Sequence, residues 1–173
     1  MLNPEPIVAS KFFFKEIGQN FIDVAYSIDG VVWGVDTANG IFKYENGSWS
    51  PTYIGQATKI EVDAQGDLWT ITSLGRVMNY SKGHWFMKAD NGTAREISLG
   101  ADGSIWILGT HEVENNGFPL FYYDQTTEHF ISVNTYAVAL VVGLDGQPWV
   151  VNIAGDIFKR SGSGEWTKKN TNF

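Results

Sequence analysis

Asp102-Gly103-Ser104-Ile105-Trp106 is one of four copies of a single phrase, and the fold follows from that repetition. The others are Asp29-Gly30-Val31-Val32-Trp33, Gln65-Gly66-Asp67-Leu68-Trp69 and Asp145-Gly146-Gln147-Pro148-Trp149; the second in chain order lacks the acid. Their tryptophans stand 36, 37 and 43 residues apart (69−33, 106−69, 149−106). A period of this size marks a propeller or solenoid array. An Asp-Gly pair between apolar runs predicts a hairpin with a type I′ turn. The aspartates are accordingly read as turn formers, with no catalytic or metal role.

Four repeats follow, at about 21–55, 56–91, 92–134 and 135–169, each with four short strand patterns. The second strand of a repeat, as in Ser104-Ile105-Trp106-Ile107-Leu108, is apolar on both sides and so needs cover on both faces. Outer strands such as Glu165-Trp166-Thr167-Lys168 are wetter. A dry interior and a wet rim are what four-stranded antiparallel propeller blades require. Pro148 lacks a backbone donor and is expected at a strand start. Residues 1–10 read as a lead, 11–169 as one domain and 170–173 as a tail. Within 11–18, Phe12, Ile17 and Gly18 keep the offsets of Trp49, Ile54 and Gly55, which predicts a seventeenth, surplus strand.

The run Ala94-x-x-Ile97-Ser98-Leu99-Gly100-Ala101-Asp102-Gly103-Ser104-Ile105-Trp106, with a Gly-x-Ile-Phe-Lys-Arg element as at 155–160 and then Trp166, resembles the tectonin repeat over about residues 11–169. The resemblance implies an all-β propeller and lectin activity. Departures are Gln65 for the turn acid, Phe21 where Ala57, Ala94 and Ala137 stand, and Phe130 in place of Trp49, Trp85 and Trp166. No Gly-His is paired with a closing Trp-Asp, as in one common propeller class, and the Gly-Gly pair of another is absent from the sequence. Four repeats leave three arrangements open: a closed four-bladed ring with a surplus strand, an arc capped by partners, or arcs completed by oligomerisation.

Composition narrows the function. The net charge is −7, and no basic cluster exceeds the Lys168-Lys169 pair, which argues against nucleic-acid partners. With no cysteine, disulfides, thiolate metal sites and cysteine nucleophiles are excluded. No apolar run is long enough for membrane insertion. No signal peptide is visible at Met1-Leu2-Asn3-Pro4-Glu5-Pro6, so a cytoplasmic or unconventionally secreted location is expected. Catalytic templates are not matched, and the chain is read as a non-enzyme with no metal and no cofactor.

The insertion His111-Glu112-Val113-Glu114-Asn115-Asn116-Gly117 breaks the repeat's symmetry, and such loops are where function concentrates. His111, Glu112, Glu114, Asn115, Asn116, Phe118, Asn91 and Tyr136 are therefore the candidate ligand-binding residues. Amides donate and accept, carboxylates accept, and aromatic rings offer flat apolar faces. The expected ligand, which the resemblance implies, is a cell-surface or microbial glycan. The alternative is a scaffold that assembles protein partners, or further copies of itself, through its blades. The tryptophans of the four phrases are read as core between blades; Trp49, Trp85 and Trp166, on outer strands, fit packing or sugar stacking.

Overall fold

In a computed structural model that describes residues 20–90 and 92–169, the chain forms sixteen strands in four sheets. The first sheet holds β1 (Phe21–Tyr26), β2 (Val32–Asp36), β3 (Gly40–Glu45) and β4 (Ser48–Gln56). The second holds β5 (Lys59–Val62), β6 (Leu68–Ile71), β7 (Val77–Ser81) and β8 (His84–Ala89). The third holds β9 (Ala94–Leu99), β10 (Ile105–Gly109), β11 (Phe118–Asp124) and β12 (His129–Ala137). The fourth holds β13 (Ala139–Val142), β14 (Pro148–Val151), β15 (Ile157–Arg160) and β16 (Trp166–Lys169). Every sheet runs in sequence order with antiparallel neighbours, the up-and-down order of a propeller blade. The predicted strand in 11–18 lies outside the described residues.

Register explains the period. Ala25, Glu61, Ser98 and Val141 pair with Trp33, Trp69, Trp106 and Trp149, so each tryptophan points to the same face of its blade. That forward face packs on the rear face of the next blade. Val35 and Ile41 meet Ile60 and Leu68; Trp69, Ile71 and Val77 meet Ile97, Ile105 and Ile107; Trp106, Leu108 and Leu120 meet Leu140 and Val150. Fully buried β10 shows why its sequence does not alternate: both of its faces are interior. Polar brackets tie the inner strands across the first of these junctions, through Asp23, and across the third, through Glu96 and Ser98. Asp23 Oδ2 accepts from Ile60 N at 2.8 Å, Glu96 Oε1 from Leu140 N at 3.4 Å and Ser98 Oγ from Val142 N at 3.0 Å.

The hairpin prediction needs one correction. Gly30, Gly66, Gly103 and Gly146 have φ between 71° and 89°, but the residue before each does not have positive φ. Their amides bond back to Ser27, Asp63, Gly100 and Gly143. Each is a type I turn followed by a left-handed glycine, the three-residue hairpin loop, where a two-residue type I′ loop was expected. The type I′ geometry occurs instead at Asn46-Gly47 and Lys82-Gly83, where both central residues have positive φ. The aspartates act on their own turns: Asp102 Oδ1 accepts from Ser104 N at 3.0 Å and Asp145 Oδ1 from Gln147 N at 3.2 Å. Where Gln65 replaces the acid, Asp63 takes over, accepting from Gln65 N at 3.0 Å and Asp67 N at 2.9 Å.

Pro148 opens β14, as expected of a residue without an amide donor. Three buried clusters are present among the described residues, each between consecutive blades. Among the described residues nothing covers the rear face of the first blade or the forward face of the fourth, where Val24 is 60% and Val141 59% exposed.

Candidate functional site

The insertion after β10 is a small ordered hairpin. Val113 bridges Gly117, with Val113 N donating to Gly117 O at 2.8 Å and Asn116 N to Val113 O at 2.9 Å. Asn115 takes a left-handed conformation at φ 60°. Gly117, at φ 96°, lies so close to the end of β12 that a β-carbon would sit 2.7 Å from Ala137 O. This close approach seats the hairpin on the junction between the third and fourth blades.

A cleft of about 420 Å³ opens there, lined by Asn115, Asn116, Asn134 and Asn152 with Tyr136, Phe158 and Trp166. Its polar equipment is asymmetric. Asn152 Oδ1 is committed to its own turn, accepting from Ala154 N at 3.1 Å and Asp156 N at 2.8 Å, which leaves Nδ2 as a donor. Asn116 Nδ2 donates to Glu114 O at 3.0 Å, which leaves its oxygen as an acceptor. Neutral amide donors and acceptors beside aromatic faces suit a ligand rich in hydroxyls and apolar C–H edges.

Beside Trp166 the fourth blade departs from an aromatic pairing present in the other three. Tyr44 stacks on Trp49, Tyr80 on Trp85 and Tyr123 on Phe130, with ring centroids 5.0 to 5.2 Å apart. The register puts Arg160 opposite Trp166, and the guanidinium lies over Trp106 instead. In the second blade Trp85 Nε1 also donates to Ile54 O, whereas Trp166 Nε1 has no partner among the described residues.

Of the candidates from sequence, Asn115, Asn116 and Tyr136 come together in the cleft. His111, Glu112 and Glu114 stay exposed and outside its lining; His111 Nδ1 lies 3.3 Å from Thr110 Oγ1. Phe118 does not line it either, because its ring packs under the Arg95 guanidinium, 3.7 Å from the ring centre. Asn91 is outside the described residues. Asn134, Asn152 and Phe158 were missed as site residues, and Trp166, left open between packing and sugar stacking, lines the cleft. A further signal in the sequence was Arg160, which breaks the tyrosine position of the repeat.

Elsewhere, residues at the turn ends of all four inner strands line a hollow of about 370 Å³, Tyr26, Ile28, Glu61, Asp63 and Leu144 among them. Burial pushes the Glu61 carboxyl up from 4.5 to about 7, Asp23 adding to the rise and Lys59 opposing it. Among the described residues no cluster of three or more His, Asp or Glu side chains comes together as a cation site. No helix among them is long and apolar enough to cross a membrane.

Solved structures confirm the architecture at the level of fold. A streptogramin B lyase superposes with a TM-score of 0.63 at 18% identity, covering 92% of this chain and 57% of that one. A virginiamycin B lyase from Staphylococcus aureus gives 0.62 at 21%, covering 87% and 55%. The protein YCF48, solved with a D1 peptide, gives 0.60 at 17%, covering 85% and 52%. The chain thus spans a little over half the length of these similar chains. Comparison with curated proteins finds no match. The model of the tectonin domain matches residues 7–173, nearly the whole sequence, and with the period, the blades and their shared register it makes this chain a member of the tectonin family.

Proposed function

We propose that this chain is a non-catalytic carbohydrate-binding module, and that its glycan site is the cleft between the third and fourth blades. One observation carries the reading: the insertion, the only large break in the repeat, brings Asn115 and Asn116 to the same cleft as Tyr136, Asn152 and Trp166. A pyranose placed there lays its C–H face on Trp166 or Tyr136 and its hydroxyls against the amides. Such a site is weak alone and gains from several copies binding one surface.

The test is a glycan array that includes methylated and bacterial glycans, followed by calorimetry on the ligands found. Trp166→Ala and Asn115→Ala are each expected to weaken binding about tenfold or more, since one lost contact worth about 1.4 kcal/mol is a factor of ten. An array with no ligand, or affinity that neither substitution moves, overturns the reading.

A second reading, a scaffold for protein assembly, is favoured by a different feature. Both end faces of the blade series are apolar and uncovered among the described residues, and exposed apolar sheet faces drive association.

A further inference from the structure

The two bare faces are the two halves of one repeating interface. At each of the three internal junctions a forward face, carrying the phrase tryptophan and apolar residues of the second and third strands, meets a rear face of aliphatic residues from the next inner strand. The fourth blade presents the same forward face, with Trp149, Val151 and Ile157 at the positions of Trp33, Val35 and Ile41. There it forms an apolar hollow of about 400 Å³ together with Ala139 and Val141. The first blade presents the matching rear face, Val24 and Tyr26 standing where Ile60 and Val62 are packed in the second. Val24 is 60% exposed and its counterpart Ile60 only 2%.

Two exchanges set the end faces apart from the internal ones, and they run in opposite senses. On the forward face Ala139 stands where Asp23, Lys59 and Glu96 stand in the other blades, a smaller side chain without charge. On the rear face Phe21 stands where Ala57, Ala94 and Ala137 are buried. Its ring covers Gly34 and packs 4.2 Å from Trp49, so the rear face carries a raised aromatic edge. A face that has lost bulk and polarity is suited to one that has gained an apolar knob. Val141 stands where Ser98 brackets Val142 from the third blade, and Ala139 where Glu96 holds Leu140 N, so the forward face of the fourth blade offers neither of those polar ties.

From this complementarity we infer that the forward face of the fourth blade docks on the rear face of the first blade of a second copy, and that two copies close one ring. Two copies of four blades make eight, within the range that propellers adopt. The superposition of the four blades on only 52–57% of three larger chains of this fold is consistent with an arc of a wider ring. Both junctions are equivalent by a two-fold axis, so the assembly is finite and leaves no apolar blade face open. The inference is independent of the glycan reading, because the cleft lies at an internal junction.

Light scattering on the full chain after size exclusion, at two concentrations about a hundredfold apart, reads the assembly directly. The expected mass is twice the 19.2 kDa of one chain. Val141→Glu and Val24→Lys each place an unpaired charge in a dry junction and are expected to yield monomers with unchanged circular dichroism, a loss of at least about a hundredfold in association. Folding of either variant is not at stake, since both side chains are more than half exposed within one chain. Mixing the two monomeric variants is expected to regenerate dimers, because a mixed pair keeps one native junction and sets Lys against Glu at the other. A wild-type monomer at the higher concentration, which includes a ring closed within one chain, overturns the inference. So does a dimer that only one variant dissociates, which indicates a face meeting its own copy, or a mixture that stays monomeric. A ladder of larger species overturns the closed pair.

Discussion

At the scale of single residues, the repeat assigns structural work to groups that elsewhere signal chemistry. Asp102 and Asp145 fasten hairpin turns, and Asp23 and Glu96 hold the amides of a neighbouring inner strand. Glu61 stands at the equivalent position of the second blade's inner strand to Ala25, Ser98 and Val141, and it has no such amide partner among the described residues. Its cost is visible in its titration. The folded chain holds the Glu61 proton up to about pH 7, whereas the unfolded chain releases it near 4.5. Folding therefore favours proton binding between those values, and stability falls as pH rises through that window and is level above it. Glu61→Gln removes the penalty and is expected to stabilise the protein by about 2 kcal/mol at pH 8, with little change at pH 4. Urea melts at the two pH values check this; equal gains at both contradict it. The turn correction belongs to this scale as well. An Asp-Gly pair is compatible with either hairpin loop, and the choice depends on whether the opposing strand ends after two residues or three.

At the scale of elements, the second strand of each blade carries the stability and the fourth strand meets water. β10 is buried along its whole length, and β12 alternates between exposed and half-buried residues before ending under the next blade. Leu108→Ala, at a side chain with no exposure, is expected to cost about 2–5 kcal/mol because its neighbours on both sides are close-packed blades. Ile131→Ala, on an outer strand and 36% exposed, is expected to cost less than about 1.5 kcal/mol. Denaturant midpoints of the two variants test the gradient, and similar losses would refute it. The insertion hairpin is the other informative element. Sequence marked it because it breaks the repeat, but its residues separate on folding: Asn115 and Asn116 turn to the cleft while His111, Glu112 and Glu114 remain in solvent. A turn centred on Glu114 and Asn115 sends neighbouring side chains to different sides, and linear order does not reveal which.

At the scale of the whole molecule, four blades in series leave two unlike ends that fit each other. An assembly closed through those ends gains stability by mass action, so the melting temperature is expected to rise with protein concentration for the wild type and to be independent of it for Val141→Glu. Scanning calorimetry at several concentrations separates these outcomes. The hydrophobic junction also predicts that added salt does not dissociate the pair, in contrast to an assembly held by ion pairs.

The sequence by itself determined the all-β class, the four repeats and the blade as the unit; of the phrase tryptophans read as core between blades, Trp69 and Trp106 are buried and Trp33 is partly buried at the first junction, whereas Trp149 lies on a forward face that no described blade covers. These follow from local rules: alternation or its absence along a strand, glycine at positive φ, and a fixed period that brings equivalent residues to equivalent places. Membership of the tectonin family was legible for the same reason. Only the tertiary structure decided which loop residues line a common cleft, that Trp166 lines it opposite Arg160 where the other blades have a tyrosine, and that no described residue covers the end faces of the series. Those facts depend on contacts between residues from different repeats, such as Asn115 with Tyr136 and Trp166, and on curvature accumulated over four blades. No single repeat encodes its neighbour's orientation, so neither the cleft nor the open ends could be read along the chain.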